Sequence, residues 1–157
     1  MNTYGTQLLE NLATENQAIN NLVGLIQQEQ SLLINANIAE VEQIIAHKAQ
    51  HVAQLAELSN QRHAILALAG YQPGESGMQS WLEQHADHSV NDAWQSLLTQ
   101  VRAAKELNHT NGLLINTHLN RNQGTLNVLR GSSKTGNFYG PDGQTTGVSK
   151  SRSIVVG

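Results

Sequence analysis

The strongest constraint on the fold is a row of side chains near the amino terminus that recurs at alternating steps of three and four residues. The row comprises Leu12, Glu15, Ile19, Leu22, Ile26, Glu29 and Leu33. Such steps give a repeat near 3.5 residues, which is typical of helices that pack side by side along their length. The pattern predicts one long helix over residues 3–35, about 50 Å in length at 1.5 Å per residue.

Two members of this row are acidic, and an acid inside a helix–helix contact needs an explanation. One interpretation places Glu15 and Glu29 at the edge of the contact, where their carboxylates reach solvent. The other pairs them with Lys48 or Arg62 on the next helix, as a device that sets register or selects the partner helix. The sequence leaves both interpretations open.

A second long helix follows after a break at residues 35–37. Asn37 is expected to be its N-cap, with Glu40 completing a capping box, and Gly70 is expected to terminate it. Its predicted apolar stripe is Ile38, Val41, Ile45, Val52, Leu55 and Leu66, with Ile44, Leu58 and Ile65 alongside. Because so short a connection makes two long helices fold back on each other, residues 3–69 are predicted to form an antiparallel α-hairpin.

Two further helical patterns follow the hairpin. A short one runs from Met78 to about Ala86, and a long one is capped by Asn91 and extends as far as Arg130. The predicted fold is therefore all-α: a long antiparallel α-hairpin and a third long helix form an elongated three-helix bundle over residues 1–130. Residues 131–157 hold six of the thirteen glycines, and they are predicted to form a flexible, Gly/Ser-rich C-terminal tail.

Composition excludes several classes of function. The net charge is −3, divided into −5 over residues 1–130 and +2 over residues 131–157. The chain as a whole is acidic, and its C-terminal segment is too weakly basic to bind nucleic acid. There is no cysteine, so disulfides and thiolate chemistry are ruled out. The amino terminus shows no signal-peptide pattern, and no apolar run is long enough to cross a membrane. We therefore expect a cytoplasmic protein without membrane insertion.

No residue pattern points to catalysis, a metal or another cofactor. His47 and His51 share a helix face at a spacing that suits a metal, but no acid accompanies them at the matching turn. Residues 74–77, "GESG", are not a phosphate-binding loop, since no Gly-Lys-Ser/Thr follows them. A thin bundle leaves apolar grooves, and an amphipathic helix of a partner protein could fill one of them. An adaptor that self-associates as a homo-oligomer through the same faces is an equal alternative on these grounds.

Two short stretches are not explained by this helix pattern. "NHTNGLLI" places Asn108 and Asn111 on one side of the third long helix, next to Gly112. On physical grounds alone it indicates a close helix crossing at the glycine. "YGPDG", residues 139–143, can form a β-turn with its Pro-Asp pair at the centre, and it follows Phe138, the only phenylalanine of the chain.

Together these features resemble the flagellar export chaperones of the FlgN family. The resemblance covers nearly the whole chain. It includes the leucine rows with their two acids, the cations of the second helix followed by "AILALAG", Trp94 in the third long helix, and the Asn-x-x-Asn-Gly-x-Leu-Ile and Tyr-Gly-x-Asp-Gly motifs. It implies a small cytoplasmic protein of the flagellar type III export system, with no catalytic activity and no cofactor.

The resemblance also implies two partners. Such chaperones bind the C-terminal helical segments of hook–filament junction proteins, keep this cargo unassembled, and deliver it to the cytoplasmic domain of the export gate. The tyrosine of the Tyr-Gly motif is associated with gate docking, which here indicates Tyr139 with Gly140 and Phe138 beside it. Cargo binding maps onto the second half of the third long helix and the tail. From the apolar row there, the expected contacts are Leu119, Leu126 and Leu129.

Overall fold

The computed structural model describes residues 2–129, 138–139 and 145–146, with side chains over residues 2–124. Its elements are helices α1 (Thr3–Ile34), α2 (Ile38–Leu68), α3 (Glu75–His85) and α4 (His88–Leu129), and strands β1 (Phe138–Tyr139) and β2 (Thr145–Thr146). The chain divides into two compact units, residues 1–108 and 109–157, so the division falls within α4. The predicted all-α helical bundle is confirmed, and the predicted domain boundary at residue 130 stays a prediction.

The predicted α-hairpin is formed by α1 and α2, the most closely packed pair of helices. Asn2 caps α1, since its side-chain oxygen accepts a hydrogen bond from the Gly5 N–H at 2.7 Å. The connection turns at Ala36, whose φ of 55° is uncommon for a residue with a Cβ. Asn37 precedes α2 as expected, but its side chain makes no capping bond. The predicted capping box is therefore wrong, and α2 begins directly after the tight turn at Ala36 without a side-chain cap.

The end of α2 follows the prediction for Gly70. This glycine has a φ of 89°, which a residue without a Cβ adopts at little cost. Its N–H donates to the Ala67 carbonyl at 3.0 Å, and the Tyr71 N–H donates to the Leu66 carbonyl at 2.9 Å. These two bonds form a Schellman motif, which satisfies carbonyls left over at the helix end.

The contact between α1 and α2 confirms one predicted stripe and partly corrects the other. All seven residues of the α1 row are buried. On α2, however, Ile38, Ile45 and Val52 are 46%, 50% and 53% exposed. The buried residues of α2 are Val41, Ile44, Leu58, Arg62 and Leu66. Relative to the prediction, α2 is rotated about its axis so that Arg62 faces α1 and pairs with Glu15. Leaving an acid of α1 buried and unpaired would cost more free energy than exposing three aliphatic side chains.

Both later helices begin earlier than predicted, each for a local reason. α3 includes Gly77 in its first turn, where a Cβ would overlap a backbone carbonyl of the preceding loop. Glycine is thus required there, although it is a poor helix former. α4 is capped by Asp87 instead of Asn91, because the Asp87 carboxylate accepts from the N–H groups of Ser89 at 3.1 Å and Val90 at 3.2 Å.

α3 closes the core at the end where α2 finishes. Met78, Trp81 and Leu82 are buried in one cluster with residues of α1, α2 and α4. His85, predicted on the same face, is exposed but stacks its ring on Trp81 with the ring centroids 4.4 Å apart. None of the helices in the described ranges combines the length and the hydropathy needed to cross a bilayer.

The tail contains one described element, an antiparallel pairing of β1 with β2. Phe138 lies opposite Thr146, and Tyr139 lies opposite Thr145. No strand was predicted at these positions, because a strand of two residues has no readable period. The β-turn expected at "YGPDG" falls largely on residues 140–143, outside the described residues, as does most of the tail predicted to be flexible.

Candidate partner-binding surfaces

One buried cluster joins α1, α2 and α4 at a single level. The Arg62 Nε donates to Glu15 Oε1 at 2.8 Å, and its Nη2 donates to the other carboxylate oxygen at 3.4 Å. The Arg62 guanidinium also lies 4.7 Å from the ring centroid of Trp94, a favourable cation–π geometry. Because Glu15 is 2% exposed and Arg62 6%, the two charges depend on each other.

A second polar cluster joins the same three helices at their other end. The Lys48 Nζ lies 3.0 Å from both carboxylate oxygens of Glu29 and 2.8 Å from the side-chain oxygen of Asn108. On each helix its member stands two heptads from the member of the first cluster. The interpretation that the acids of α1 reach solvent is therefore wrong, and their pairing with Lys48 and Arg62 is confirmed.

Between the two polar clusters, a groove of about 620 Å³ lies along α2 and α4. Its apolar floor and walls comprise Ile19, Leu22 and Ile26 of α1, Val52 and Leu55 of α2, and Leu98 and Val101 of α4. The Arg62–Trp94 contact lies at one end and the Lys48–Asn108 hydrogen bond at the other. Since Val52 is 53% exposed, the groove opens to solvent as an apolar surface.

Two charged residues on the groove lining have no ion pair within residues 2–124. Glu75, the first residue of α3, lies at the Arg62 end, and Lys105 of α4 lies at the Lys48 end. Both are exposed. The groove is thus apolar along its length, with an acid near one end and a base near the other.

The second half of α4, residues 109–124, has a different surface. Asn111 is 1% exposed, whereas Leu113 is 46% exposed. Three further apolar residues, Leu114, Ile115 and Leu119, are half-buried. The close helix crossing expected at Gly112 is wrong, since a Cβ built there would meet no described heavy atom within 4 Å.

The predicted site residues fall on separate elements. Leu119 is a half-buried residue of α4, and Leu126 and Leu129 lie on the same helix, where only the backbone is described. Phe138 and Tyr139 form β1, and Gly140 is outside the described residues. Their roles in cargo binding and gate docking stay predictions. Over the residues that the structure describes, no group of three or more His, Cys, Asp or Glu is placed to hold a metal ion.

The sequence predicted apolar grooves in general, but it also holds a signal, left unused, for where the two polar clusters lie. Glu15 and Glu29 on α1 have the same separation as Lys48 and Arg62 on α2. In an antiparallel hairpin, equal separations allow both acids to meet both cations at once. That signal predicts two polar levels, but it does not predict that α4 leaves an open apolar groove between them.

Comparison with known proteins connects the chain to one family. The FlgN protein family matches residues 1–147. The Flagella synthesis protein FlgN of Salmonella typhimurium is 33% identical over 98 residues, covering 60% of this chain and 66% of the relative, just under two thirds of its length. The proteins of the same name from Proteus mirabilis and Yersinia enterocolitica are 28% identical over 156 residues and 27% over 146. These matches cover 96% and 91% of this chain, and 94% and 92% of the relatives. No solved structure matches the chain significantly.

Proposed function

Because this chain belongs to the FlgN family, we propose that it is a flagellar export chaperone that works in the cytoplasm. In this role it binds hook–filament junction proteins, prevents their premature assembly or aggregation, and delivers them to the export gate. The observation that carries the proposal is the family match over residues 1–147, which includes both the helical bundle and the Tyr139 motif. The relatives' own name, flagella synthesis protein, supports a role in building the flagellum.

The proposal assigns cargo binding to the second half of α4 and the tail. Leu119, Leu126 and Leu129 are separated by seven and three residues, so they share one face of a helix. A C-terminal helix of the cargo would pack its own apolar row against this face, as helices do in groove recognition. Leu113, which is 46% exposed, lies six residues before Leu119 and therefore on a different face of α4.

The proposal assigns gate docking to Phe138, Tyr139 and Gly140. Aromatic side chains are frequent anchors of protein interfaces, and truncating one costs about 2 kcal/mol or more of binding free energy. The pairing of β1 with β2 supports this role, because a backbone that is already paired loses less conformational entropy on docking. The glycines of the tail favour a modest, reversible affinity, which suits a carrier that has to release its cargo.

Calorimetric titration tests the cargo assignment. A junction protein, or its C-terminal helical segment, is titrated into the full chain and into a 1–130 truncation whose folding is checked by circular dichroism. We expect tight one-to-one binding to the full chain and weaker binding to the truncation. Equal binding by both would remove the tail from the cargo site and leave α4 alone, and binding by neither would contradict the chaperone function.

A second titration tests gate docking with the cargo-loaded protein. We expect Tyr139→Ala to lower the affinity for the cytoplasmic gate domain by about 2 kcal/mol, the size typical of an aromatic anchor. Tyr4→Ala is the matched control, since Tyr4 is an exposed tyrosine at the other end of the chain. An unchanged gate affinity for Tyr139→Ala would refute the docking role without affecting the cargo assignment.

One observation favours the alternative of a coiled-coil adaptor that acts by self-association. Ile38, Ile45 and Val52 form an exposed row with a spacing of seven residues, which is the repeat of a coiled-coil seam. Light scattering of the purified chain tests this alternative. A stable dimer that Ile45→Asp dissociates would favour the adaptor, and a monomer over the working concentration range would exclude it.

A further inference from the structure

The groove between α2 and α4 is long enough to bind a helix. It extends from Lys48 to Arg62 along α2, a distance of about 21 Å at 1.5 Å per residue. Its volume is about 620 Å³, so over that length the groove is narrow and can hold a single row of apolar side chains. A helix presents such a row at steps of three and four residues.

We propose that this groove is a docking site for one amphipathic α-helix of a partner protein, separate from the cargo contacts proposed for α4. With α1, α2 and α4 already around the groove, a fourth helix completes a four-helix arrangement and covers the apolar walls. Val52 is 53% exposed, so the wall formed by α2 is accessible to such a partner.

The charges beside the groove specify the partner further. Glu75 and Lys105 stand at opposite ends, both exposed and without an ion pair inside residues 2–124. The complementary helix therefore carries acidic residues at the end that meets Lys105 and basic residues at the end that meets Glu75. Acids in the first turn and bases in the last turn also suit the dipole of that helix itself, so its amino terminus is placed near Lys105.

The polar clusters explain why this groove persists without an occupant. Arg62 contacts Trp94 across one end, and Lys48 contacts Asn108 across the other. Each contact connects α2 to α4 through buried or half-buried charges that are paired with an acid of α1. Collapse of the two helices onto each other would disturb both clusters, and breaking a buried pair is strongly unfavourable.

A synthetic peptide tests the proposal with the full-length protein. The probe is a helix of about 18 residues, with leucines at steps of three and four, glutamates in its first turn and lysines in its last. We expect it to bind the wild-type chain in calorimetry and Val52→Asp at least about tenfold more weakly, because the aspartate would be desolvated. Ile45→Asp is the matched control, since Ile45 lies one heptad away on α2, is 50% exposed and does not line the groove.

A charge variant tests the polarity of the site. Lys105→Glu is expected to weaken peptide binding about two- to fivefold, as for an exposed ion pair. Arg102→Glu, on the same helix but off the groove lining, is expected to leave the affinity unchanged. A peptide of equal composition with its leucines moved off the helical spacing should not bind.

Three outcomes would overturn the proposal. The first is equal peptide affinities for Val52→Asp and Ile45→Asp. The second is equal effects of Lys105→Glu and Arg102→Glu. The third is a dimer that Val52→Asp dissociates and Ile45→Asp does not, which would identify a second copy as the occupant of the groove. Val52→Asp is also titrated with the junction protein, where the proposed function predicts unchanged affinity. The peptide titration therefore tests the groove, and the junction-protein titration separately tests cargo binding.

Discussion

The two halves of α4 share a helical pattern but differ in what covers their apolar side chains. In residues 88–108, Val90, Trp94, Leu97 and Ala104 are at most 6% exposed. In residues 109–124, Leu113 is 46% exposed and the other leucines are half-buried. The pattern of a helix indicates where its apolar face is, whereas the neighbouring elements decide whether that face is available to a partner.

This difference separates residues that stabilise the fold from residues that support binding. The buried apolar side chains of the first half lie in the core with α1 and α3, so their burial contributes to folding, whereas Leu98 and Val101 line the open groove. Those of the second half keep part of their surface in solvent, so burial by a partner can still contribute to affinity. Substitutions in the two halves should therefore affect different measurements.

The largest expected effect is that of Trp94→Ala in the first half. We expect the free energy of unfolding in urea to fall by about 3–5 kcal/mol from the cavity, and by about 1 kcal/mol more from the lost cation–π contact. Leu113→Ala in the second half is the control, with an expected change of about 0.5 kcal/mol or less. Similar losses for both variants would contradict the contrast between the halves.

Arg62→Met is expected to have an effect only slightly smaller. It leaves Glu15 buried without its cation, which typically costs about 3–5 kcal/mol. The double variant Glu15→Leu with Arg62→Met should recover most of that loss in the same urea titration, because no charge is then left unpaired. If the double variant were no more stable than the single one, lost packing rather than the unpaired carboxylate would explain the effect.

The smallest expected effect compares two glycines inside helices. Gly24 in α1 and Gly112 in the second half of α4 each have room for a Cβ, so replacement by Ala should stabilise the local helix by about 1 kcal/mol. Gly24→Ala should raise the urea midpoint of the whole transition. Gly112→Ala should raise helicity by circular dichroism with little change in that midpoint, and an equal rise would show that both halves unfold together.

Several features were predictable because they depend on neighbours in the chain. The α1 row and the terminating role of Gly70 follow from a helical period and from one residue's backbone freedom. The start of α3 was not predictable, because Gly77 is required by an approach to the preceding loop. The start of α4 was missed because Asp87 and Asn91 are both good caps, and the choice between them depends on where the chain can turn.

An all-α fold with a long hairpin follows from the amino-acid sequence, because helical period and turn chemistry depend on residues close to one another in the chain. The sequence also contained two acids and two cations at equal separations on α1 and α2. Which face of α2 turned inward depended on packing between the helices, because that choice weighs the burial of aliphatic side chains against the pairing of Glu15 and Glu29. The tertiary structure also decided that an open groove lies between α2 and α4, since no local pattern records how far apart two helices are held.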